Sequence, residues 1–362
     1  MDTASCLSPQ TVTSRTSDLF VHPQVLTLLP TYRCTSRCRS CCFGSHPEME
    51  KMLDMAIMEN FIDEGSRFDS VRLVVFSGGE CFLLGDNLIR LVERAARKGY
   101  VTRCVTNGYW AHSLEKGRHR LQQLRNAGLN EINIGTGDAH QEFVPEHTII
   151  NAAELSVDIG FKHTLITIEQ ESGSQEIARS LVSNPRIAAL RQGNTFFDII
   201  ESPWMPMDHR QPSPEPMEKR LNRDNVHRFK GCDSILSTIA LTPDRKIGYC
   251  CGLTREMIDE LNTSWDPGTL RDRLAEGGKD FIKIWLFVEG PERILAWAGG
   301  IDARIDWQGR YVHRCHACLA IYHDPLVMAA IKNYYHTRVD DVLMRFSLIL
   351  KQQHLIEAKT YG

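Results

Sequence analysis

The sequence predicts an α/β fold in which six strand–helix units form a partial barrel and a smaller cysteine-containing region follows. Short apolar, β-branched runs alternate with segments of helical spacing, and glycines or other turn signals lie between them. The pattern stops near residue 200 of the 362 residues. This length exceeds that of one average domain and suits a barrel with an appended region.

Six strands are predicted, at residues 25–29, 71–76, 101–105, 131–134, 164–168 and 196–200. The helices between them are predicted at residues 49–64, 88–98, 114–126, 149–159 and 175–181. Four of these helices are followed by a glycine stop signal, at Gly65, Gly99, Gly128 and Gly160. Such units in series are typical of a parallel sheet, and six are enough for a partial (β/α)6 barrel of the TIM type.

Composition excludes several classes of partner. The net charge of −3 provides no strong field for nucleic acid or anionic lipid. No segment approaches the ~20 apolar residues of a membrane helix, and the first residues lack the apolar core of a secretory signal. We therefore expect a soluble, cytoplasmic protein with no membrane or nucleic-acid partner. In a reducing compartment, clustered cysteines are more often metal ligands or catalytic groups than disulfides.

Composition also divides the chain into five predicted regions. They are a polar segment at 1–24, the barrel at 25–205, a proline-rich linker or covering loop at 206–230, a second cysteine region at 231–325 and a helical tail at 326–362. The linker is predicted because residues 201–220 contain five prolines.

Three cysteines follow the first predicted strand, at Cys34, Cys38 and Cys41. Three thiolates can hold three irons of a 4Fe–4S cube, whereas most electron-transfer clusters have four cysteine ligands. The incomplete set therefore suggests chemistry at an open iron. A zinc site with His46 as fourth ligand is the alternative, but it leaves the strand-end glycines unexplained. We expect the neighbouring Cys42 to point elsewhere.

Unusual motifs also follow the next three predicted strands, and they are Ser77-Gly78-Gly79-Glu80, Thr106-Asn107-Gly108 and Gly135-Thr136-Gly137-Asp138. Active sites of parallel sheets gather at the carboxyl ends of strands, so this coincidence is stronger evidence than any single motif. Asp138 and His140 are candidates for proton transfer or substrate binding, although a surface-loop histidine is an equal alternative. Strand alternation places Thr167 and Glu169 on one face.

Together, the Cys34-x3-Cys38-x2-Cys41 motif, Gly78-Gly79-Glu80 and the strand–helix series resemble the radical S-adenosylmethionine superfamily over residues 25–202. The resemblance implies that the three cysteines hold a 4Fe–4S cluster whose open iron binds S-adenosylmethionine. One electron then cleaves the sulfonium, and the 5′-deoxyadenosyl radical abstracts a substrate hydrogen. The implied cofactor-binding residues are Gly78, Gly79, Glu80, Thr106, Asn107, Thr136, Thr167 and Glu169. Ser40 stands where the family often has an aromatic residue, whose packing role Phe43 is expected to share.

The second region contains five further cysteines, of which Cys232, Cys250, Cys315 and Cys318 are the candidate metal ligands. Residues 237–252, "STIALTPDRKIGYCCG", predict a β-hairpin that leads into a cysteine. The region resembles the shortened SPASM/twitch-like extension of the same superfamily, which implies an auxiliary 4Fe–4S cluster on these cysteines, with Cys251 as an alternative to Cys250. The family's usual turn glycine is replaced by Arg245-Lys246. A four-thiolate zinc site, near His313 and His316, is the alternative.

The resemblance predicts an oxidoreductase-type radical enzyme that tailors a ribosomally made peptide or related natural product by cross-linking, epimerisation or oxidation. Radical oxidation or rearrangement of a small-molecule metabolite is an alternative, and a zinc-binding nucleic-acid module is disfavoured by the net charge. Expected partners are the peptide or small-molecule substrate, an electron donor such as flavodoxin or ferredoxin, and a separate leader-binding protein. The last is expected because residues 1–24 are too few for a leader-binding domain. The substrate, the bond attacked, the fate of S-adenosylmethionine and the oligomeric state stay open.

Overall fold

The structure is a computed structural model that describes residues 21–39, 41–170, 175–193, 196–203, 205–251, 253 and 257–361. For residues 170 and 354–361 it describes the backbone alone. Most of the predicted polar N-terminal segment and Ser40 lie outside the described residues. Among the helices that are described, none is both long enough and apolar enough to cross a membrane.

The first half of the chain alternates strands with helices. The strands are β1 (Val25–Leu28), β2 (Leu73–Phe76), β3 (Val101–Thr106), β4 (Glu131–Gly137), β5 (His163–Gln170) and β6 (Phe197–Pro203). The helices are α1 (Met55–Gly65), α2 (Asp86–Arg97), α3 (Leu114–Asn126), α4 (Asp138–Gln141), α5 (Glu146–Ile159), α6 (Glu176–Ser183) and α7 (Pro185–Gly193). Each strand pairs in parallel with the next, in the order β6-β5-β4-β3-β2-β1. The predicted partial barrel of six parallel strands is confirmed.

Side chains along the strands alternate between the core and the inner face of the open barrel. In β4, Ile132 and Ile134 are fully buried in the hydrophobic core, whereas Asn133 and Gly135 line an interior cavity. In β5, Thr167 lines the same cavity. Because apolar residues occupy one set of alternate positions, the small and polar residues are left on the inner face.

In the part of the chain that the structure describes, the second half adds three strands and six α-helices. The strands are β7 (Thr238–Leu241), β8 (Lys246–Gly248) and β9 (Asn262–Ser264). The helices are α8 (Leu270–Gly277), α9 (Phe281–Glu289), α10 (Pro291–Ile301), α11 (Arg314–His323), α12 (Pro325–Tyr334) and α13 (Val339–Tyr361). The predicted hairpin is confirmed, since β7 and β8 are antiparallel. Strand β7 also pairs in parallel with β1, so the hairpin extends the barrel sheet to nine strands.

Helix α9 is buried along its whole length, with all nine residues inside. Its one carboxylate, Glu289, is satisfied by Trp285 Nε1 at 2.7 Å, Arg338 at 2.7 Å and Arg345 at 2.6 Å. A buried charge with three donors is tolerated because its lost hydration is replaced. The helix thereby gives the second cysteine region a fixed support.

The helices of the barrel differ from the prediction mainly at the start of α1 and in the two unpredicted helices, α4 and α7. The helix predicted at 49–64 begins only at Met55, because the preceding residues bind the loop after β1: Leu53 N donates to Pro30 O at 2.9 Å. Helix α7 was not predicted, because its apolar residues are not confined to one face. Pro185 is nevertheless suited to its first position, where no backbone N–H is required.

Candidate active site

A cavity of about 410 Å³ lies at the carboxyl ends of the parallel strands. Residues in or directly after all six strands line it, among them Cys34, Ser77, Asn107, Gly135, Glu169 and Pro203. The motifs that sequence reasoning found at separate strand ends therefore meet around one space. This is the arrangement expected of parallel α/β folds.

The loop after β1 presents its cysteines to this cavity. Cys34, Cys38 and Cys41 all line it, as does Cys42. The loop is closed by backbone bonds from Cys34 N to His46 O at 3.3 Å and from Cys41 N to Cys38 O at 3.2 Å. The prediction that Cys42 points elsewhere is wrong, because the tight turn at Cys38–Cys41 keeps consecutive side chains near the cavity.

His46, the candidate fourth zinc ligand, is not among the residues that line the cavity. Its Nδ1 lies 2.9 Å from Glu48 Oε2 on the same loop. Among the described residues, no three His, Cys, Asp or Glu side chains converge on a point where one metal ion could be held. That finding concerns a single ion, since a cubane places a separate iron in front of each thiolate.

The glycines after β2 lie against the backbone of the cysteine loop. Gly79 N donates to Thr31 O at 2.8 Å, and Glu80 N donates to Arg33 O at 2.9 Å. A Cβ on Gly79 would lie 2.0 Å from Arg33 O, and one on Gly78 would lie 2.7 Å from Thr31 O. Only glycine allows this approach, so the Gly-Gly pair joins the first two strand-end loops.

Glu80 lies beneath the cavity and is only 1% exposed. Its carboxylate accepts hydrogen bonds from Phe82 N at 3.0 Å, Thr106 Oγ1 at 2.9 Å and Asn107 N at 2.9 Å. Burial raises the pKa of Glu80 to about 7, and the three donors only partly oppose that rise. The residue therefore joins the loop after β2 to the end of β3, and its contact with a cofactor stays a prediction.

Asn107 connects the end of β3 to the cysteine loop. Its Nδ2 donates to Thr35 Oγ1 at 2.9 Å and Ser36 Oγ at 3.1 Å, and lies 3.7 Å from Cys34 Sγ. With Glu80 and Gly79, this amide ties three successive strand-end loops into one unit. A unit so connected holds its thiols in a defined geometry.

The charges of the cysteine loop fit an iron–sulfur cluster. Burial is the main reason that the pKa of Cys34 rises to about 11 and that of Cys38 to about 12. Repulsion from the Cys41 thiolate raises both values further, so the three sulfurs lie within electrostatic range of one another. A cationic iron cluster among them would relieve the burial and repulsion penalties, and thiolates are its preferred ligands.

The remaining predicted site residues divide into two groups. Thr106, His140, Thr167 and Glu169 line the cavity, as do Gly78, Gly79 and Asn107. Thr136 and Asp138 are not lining residues: Thr136 is fully buried and lies 3.4 Å from Gln141 Nε2, while Asp138 begins α4. A catalytic or cofactor role for any of them stays a prediction.

Sequence reasoning did not place Asn133, or the cysteines Cys42, Cys251 and Cys315, on this cavity. Asn133 Oδ1 accepts from Thr167 Oγ1 at 2.9 Å on the inner face. Its position two residues before Gly135 on β4 was the available signal. Cys251 also lines the cavity, whereas Cys81 and Cys104 are fully buried in the core.

The second set of cysteines is assembled from three distant parts of the chain. Cys232 N donates to Leu286 O of α9 at 2.8 Å, Cys250 follows β8, and Cys315 and Cys318 lie in the first part of α11. Burial raises the pKa of Cys315 and Cys318 well above the ordinary value, and the charges of Cys250 and Cys232 add to the effect. The four predicted ligands therefore lie near one another, and their ligand role stays a prediction.

The two histidines near this group have other contacts. His313 Nδ1 accepts from Cys315 N at 3.1 Å and so caps α11. His316 is fully buried, and its Nε2 lies 3.3 Å from Asp208 O of the proline-rich segment. Burial lowers the pKa of His316 to about 4, so it stays neutral at physiological pH.

An open parallel barrel with three thiols on the loop after its first strand defines an α/β protein with a cysteine-lined cavity. Residues 28–168 match the Radical SAM superfamily. This match contains the Cys34-x3-Cys38-x2-Cys41 motif, and it supports the predicted resemblance of this part of the chain to the superfamily.

The chain is also similar to one curated protein and to solved structures. YydG of Bacillus subtilis (strain 168), a protein named for peptide biosynthesis, is 23% identical over 197 residues, which are 54% of this chain. The match spans about 57% of the length of that curated relative. The solved structure "Native anSMEcpe with bound AdoMet" is 11% identical with a TM-score of 0.55 and covers 90% of this chain and 100% of its own. Its complex with the Cp18Cys peptide is 12% identical with a TM-score of 0.53 and covers 90% and 99%. At these identities the structures confirm the fold alone.

Proposed function

We propose that the protein reductively cleaves S-adenosylmethionine and uses the 5′-deoxyadenosyl radical to abstract hydrogen from a ribosomally made peptide or related natural product. The observation that carries this proposal is the cavity in which the thiols of Cys34, Cys38 and Cys41 meet the carboxyl ends of six parallel strands. The match of residues 28–168 to the Radical SAM superfamily supports the radical chemistry. The peptide biosynthesis in the name of YydG and the peptide in the anSMEcpe complex support the substrate class.

Cys34, Cys38 and Cys41 would hold a 4Fe–4S cluster. When bound, such a cluster supplies the single electron that breaks the sulfonium C–S bond. The chain's own contribution is positioning: Asn107 and Gly79 fix the cysteine loop against the ends of β3 and β2. The inner wall formed by Asn133, Thr167 and Glu169 offers hydrogen-bonding groups for a polar ligand.

Cys232, Cys250, Cys315 and Cys318 would hold an auxiliary cluster. Four cysteines can ligate all four irons of a cubane and leave none open. Such a cluster suits a structural or electron-transfer role. Cys250 is favoured over Cys251 because it is buried and its charge acts on both Cys315 and Cys318, whereas Cys251 is exposed. An electron donor, a separate leader-binding protein and a cytoplasmic location belong to the same proposal.

Anaerobic reconstitution with iron and sulfide tests this function. We expect about eight irons per chain, from two cubanes, and conversion of S-adenosylmethionine to 5′-deoxyadenosine when dithionite is added. Bound zinc without cleavage would contradict the proposal. Short peptides encoded beside the gene are then supplied with deuterated residues. Transfer of deuterium into 5′-deoxyadenosine identifies the hydrogen attacked, and transfer only from a small metabolite would replace the peptide assignment.

A further inference from the structure

A second cavity of about 410 Å³ adjoins the auxiliary cysteine group at Cys232, and it shares no lining residue with the active-site cavity. We call it the outer groove, and its lining includes Lys230, Cys232, Asp233, Arg293 and Arg345. The proposed chemistry at the barrel cavity does not use this space.

The second cysteine group connects the two cavities. Cys232 lines the outer groove, whereas Cys315 and the adjoining Cys251 line the active-site cavity. The charges of Cys232 and Cys251 both act on Cys315, so the thiols at the two ends belong to one group. A redox partner in the outer groove would therefore contact the thiol group that also adjoins the active site.

The groove carries a surplus of positive charge in a chain whose net charge is −3. Three cations, Lys230, Arg293 and Arg345, line it together with one carboxylate, Asp233. Arg345 is neutralised by Glu289 at 2.6 Å. The ammonium of Lys230 has no acidic partner among the described residues, and the carboxylate of Asp233 lies 3.8 Å from Arg314.

Arg293 is the best-defined hydrogen-bond donor that the groove offers to an anion. One Nη2 hydrogen is given to His227 O at 2.7 Å, while its buried Nε has no hydrogen-bond partner within the described structure. The buried Nε is not accessible to a docking protein, but the half-buried side chain pairs with no carboxylate among the described residues, so its charge is available to one. Lys230 and Arg293 therefore favour an acidic ligand.

The wall of the groove is held rigidly. A Cβ on Gly231 would lie 1.9 Å from Phe287 O, and one on Gly290 would lie 2.3 Å from Lys230 O. Arg314 donates to Lys230 O at 2.9 Å and to Gly231 O at 3.3 Å. The backbone between Lys230 and Cys232 is thus fixed before any partner arrives, which lowers the entropy cost of docking.

We propose that the outer groove docks an acidic one-electron carrier protein, whose carboxylates meet Lys230 and Arg293 beside Cys232. This inference rests on the proposed function, because each cleavage consumes one electron. The carrier is oxidised by one electron, and S-adenosylmethionine accepts it as its C–S bond breaks. Complementary charge steers such encounters and raises their rates 10- to 10³-fold at low ionic strength.

The test uses the full reconstituted chain and an acidic flavodoxin. The double variant Lys230→Glu/Arg293→Gln is compared with Lys279→Glu/Lys332→Gln, which removes the same charge at two exposed lysines that line neither cavity. Titration calorimetry gives the Kd for oxidised flavodoxin, and 5′-deoxyadenosine formation is driven either by reduced flavodoxin or by dithionite.

For the groove variant we expect a Kd at least tenfold weaker and flavodoxin-driven cleavage at least tenfold slower, with dithionite-driven cleavage unchanged. The control variant should match the wild type. Equal losses in both double variants, or no loss in the groove variant, would overturn the docking site. Binding of millimolar inorganic phosphate by the wild type, with no binding of flavodoxin, would also overturn the docking site. Failure of the wild type with dithionite would instead count against the proposed function, and the binding measurement would still stand.

Discussion

The two cysteine groups differ in how the chain assembles them. Cys34, Cys38 and Cys41 lie on one loop closed by its own backbone bonds, and all three open onto the cavity. Cys232, Cys250 and the α11 pair come from parts of the chain that are far apart, and they are held by α9, β8 and α11. The first group is a local motif, whereas the second exists only in the folded chain.

This difference matches the two proposed roles. A loop with three thiols beside a cavity leaves room for a ligand at the centre it holds. A set of four cysteines, of which Cys250 is buried and the other three are partly buried, suits a closed centre whose ligands stabilise the fold around it. Changes in the first group should therefore affect chemistry first, and changes in the second should affect assembly.

The largest effect is expected from the first group. Cys34→Ala, Cys38→Ala and Cys41→Ala should each lower 5′-deoxyadenosine formation by at least about 10³-fold, because two thiolates cannot retain the cubane. The matched control is Cys42→Ala, which removes a thiol from the same cavity without changing the three-cysteine motif. The 5′-deoxyadenosine formed is measured by high-performance liquid chromatography. Activity retained in any of the three variants would refute this ligand set.

A smaller loss of chemistry is expected from the second group. Cys315→Ala should lose about four irons and keep some uncoupled cleavage, because the first loop is not part of that site. Iron analysis and 5′-deoxyadenosine assays on the same sample measure both effects. Cys251→Ala serves as the control, since we expect this exposed thiol to be no ligand. An unchanged iron content in Cys315→Ala would show that the auxiliary site lies elsewhere.

Glu80, which supports the first cysteine loop, should make the stability of the protein depend on pH. Burial raises the pKa of Glu80 from its ordinary 4.5 to about 7 in the folded chain. Between these values the native state binds more protons than the unfolded state, so the free energy of unfolding falls as pH rises from 4.5 to 7. The full loss is on the order of 3 kcal/mol and is complete above pH 7.

Urea unfolding of the metal-free chain across this pH range measures the slope. Glu80→Gln should remove the Glu80 contribution, because glutamine does not titrate. Glu64→Gln is a useful control, since Glu64 is also buried and accepts a backbone bond from Leu270 N at 2.8 Å. A slope that survives unchanged in Glu80→Gln would assign the pH dependence to another group.

The smallest effect concerns the hairpin that leads to Cys250. Arg245 stands where a glycine is usual and adopts a left-handed conformation with φ of 57°. A non-glycine residue in this region costs roughly 1–2 kcal/mol. Arg245→Gly should therefore raise the free energy of unfolding by up to about 1 kcal/mol, after the loss of its exposed ion pair with Asp54 and the greater freedom of the unfolded chain.

Thermal unfolding measures the change, and Arg245→Ala is the control that removes the ion pair but keeps the Cβ. Equal melting temperatures in the two variants would mean that backbone strain at this turn is negligible.

Much of the barrel could be predicted because its pattern is local. The short apolar, β-branched runs and the glycine stops predicted all six parallel strands, and the predicted third helix has the bounds of α3, Leu114–Asn126. The start of α1 was misjudged, because residues 49–54 bind the cysteine loop instead of continuing the helix. Such a contact between distant segments leaves no periodic signal in the sequence.

The sequence alone determined the three-cysteine loop, the order of the strand-end motifs and the hairpin before Cys250, since each depends on residues close together in the chain. Only the tertiary structure decided that Cys42 faces the cavity, that Glu80 lies beneath it as a support, and that the second cysteine group adjoins both the cavity and the outer groove. The physical reason is that burial and proximity of distant residues arise from packing, in particular from the pairing of β7 with β1 and the docking of Cys232 on α9.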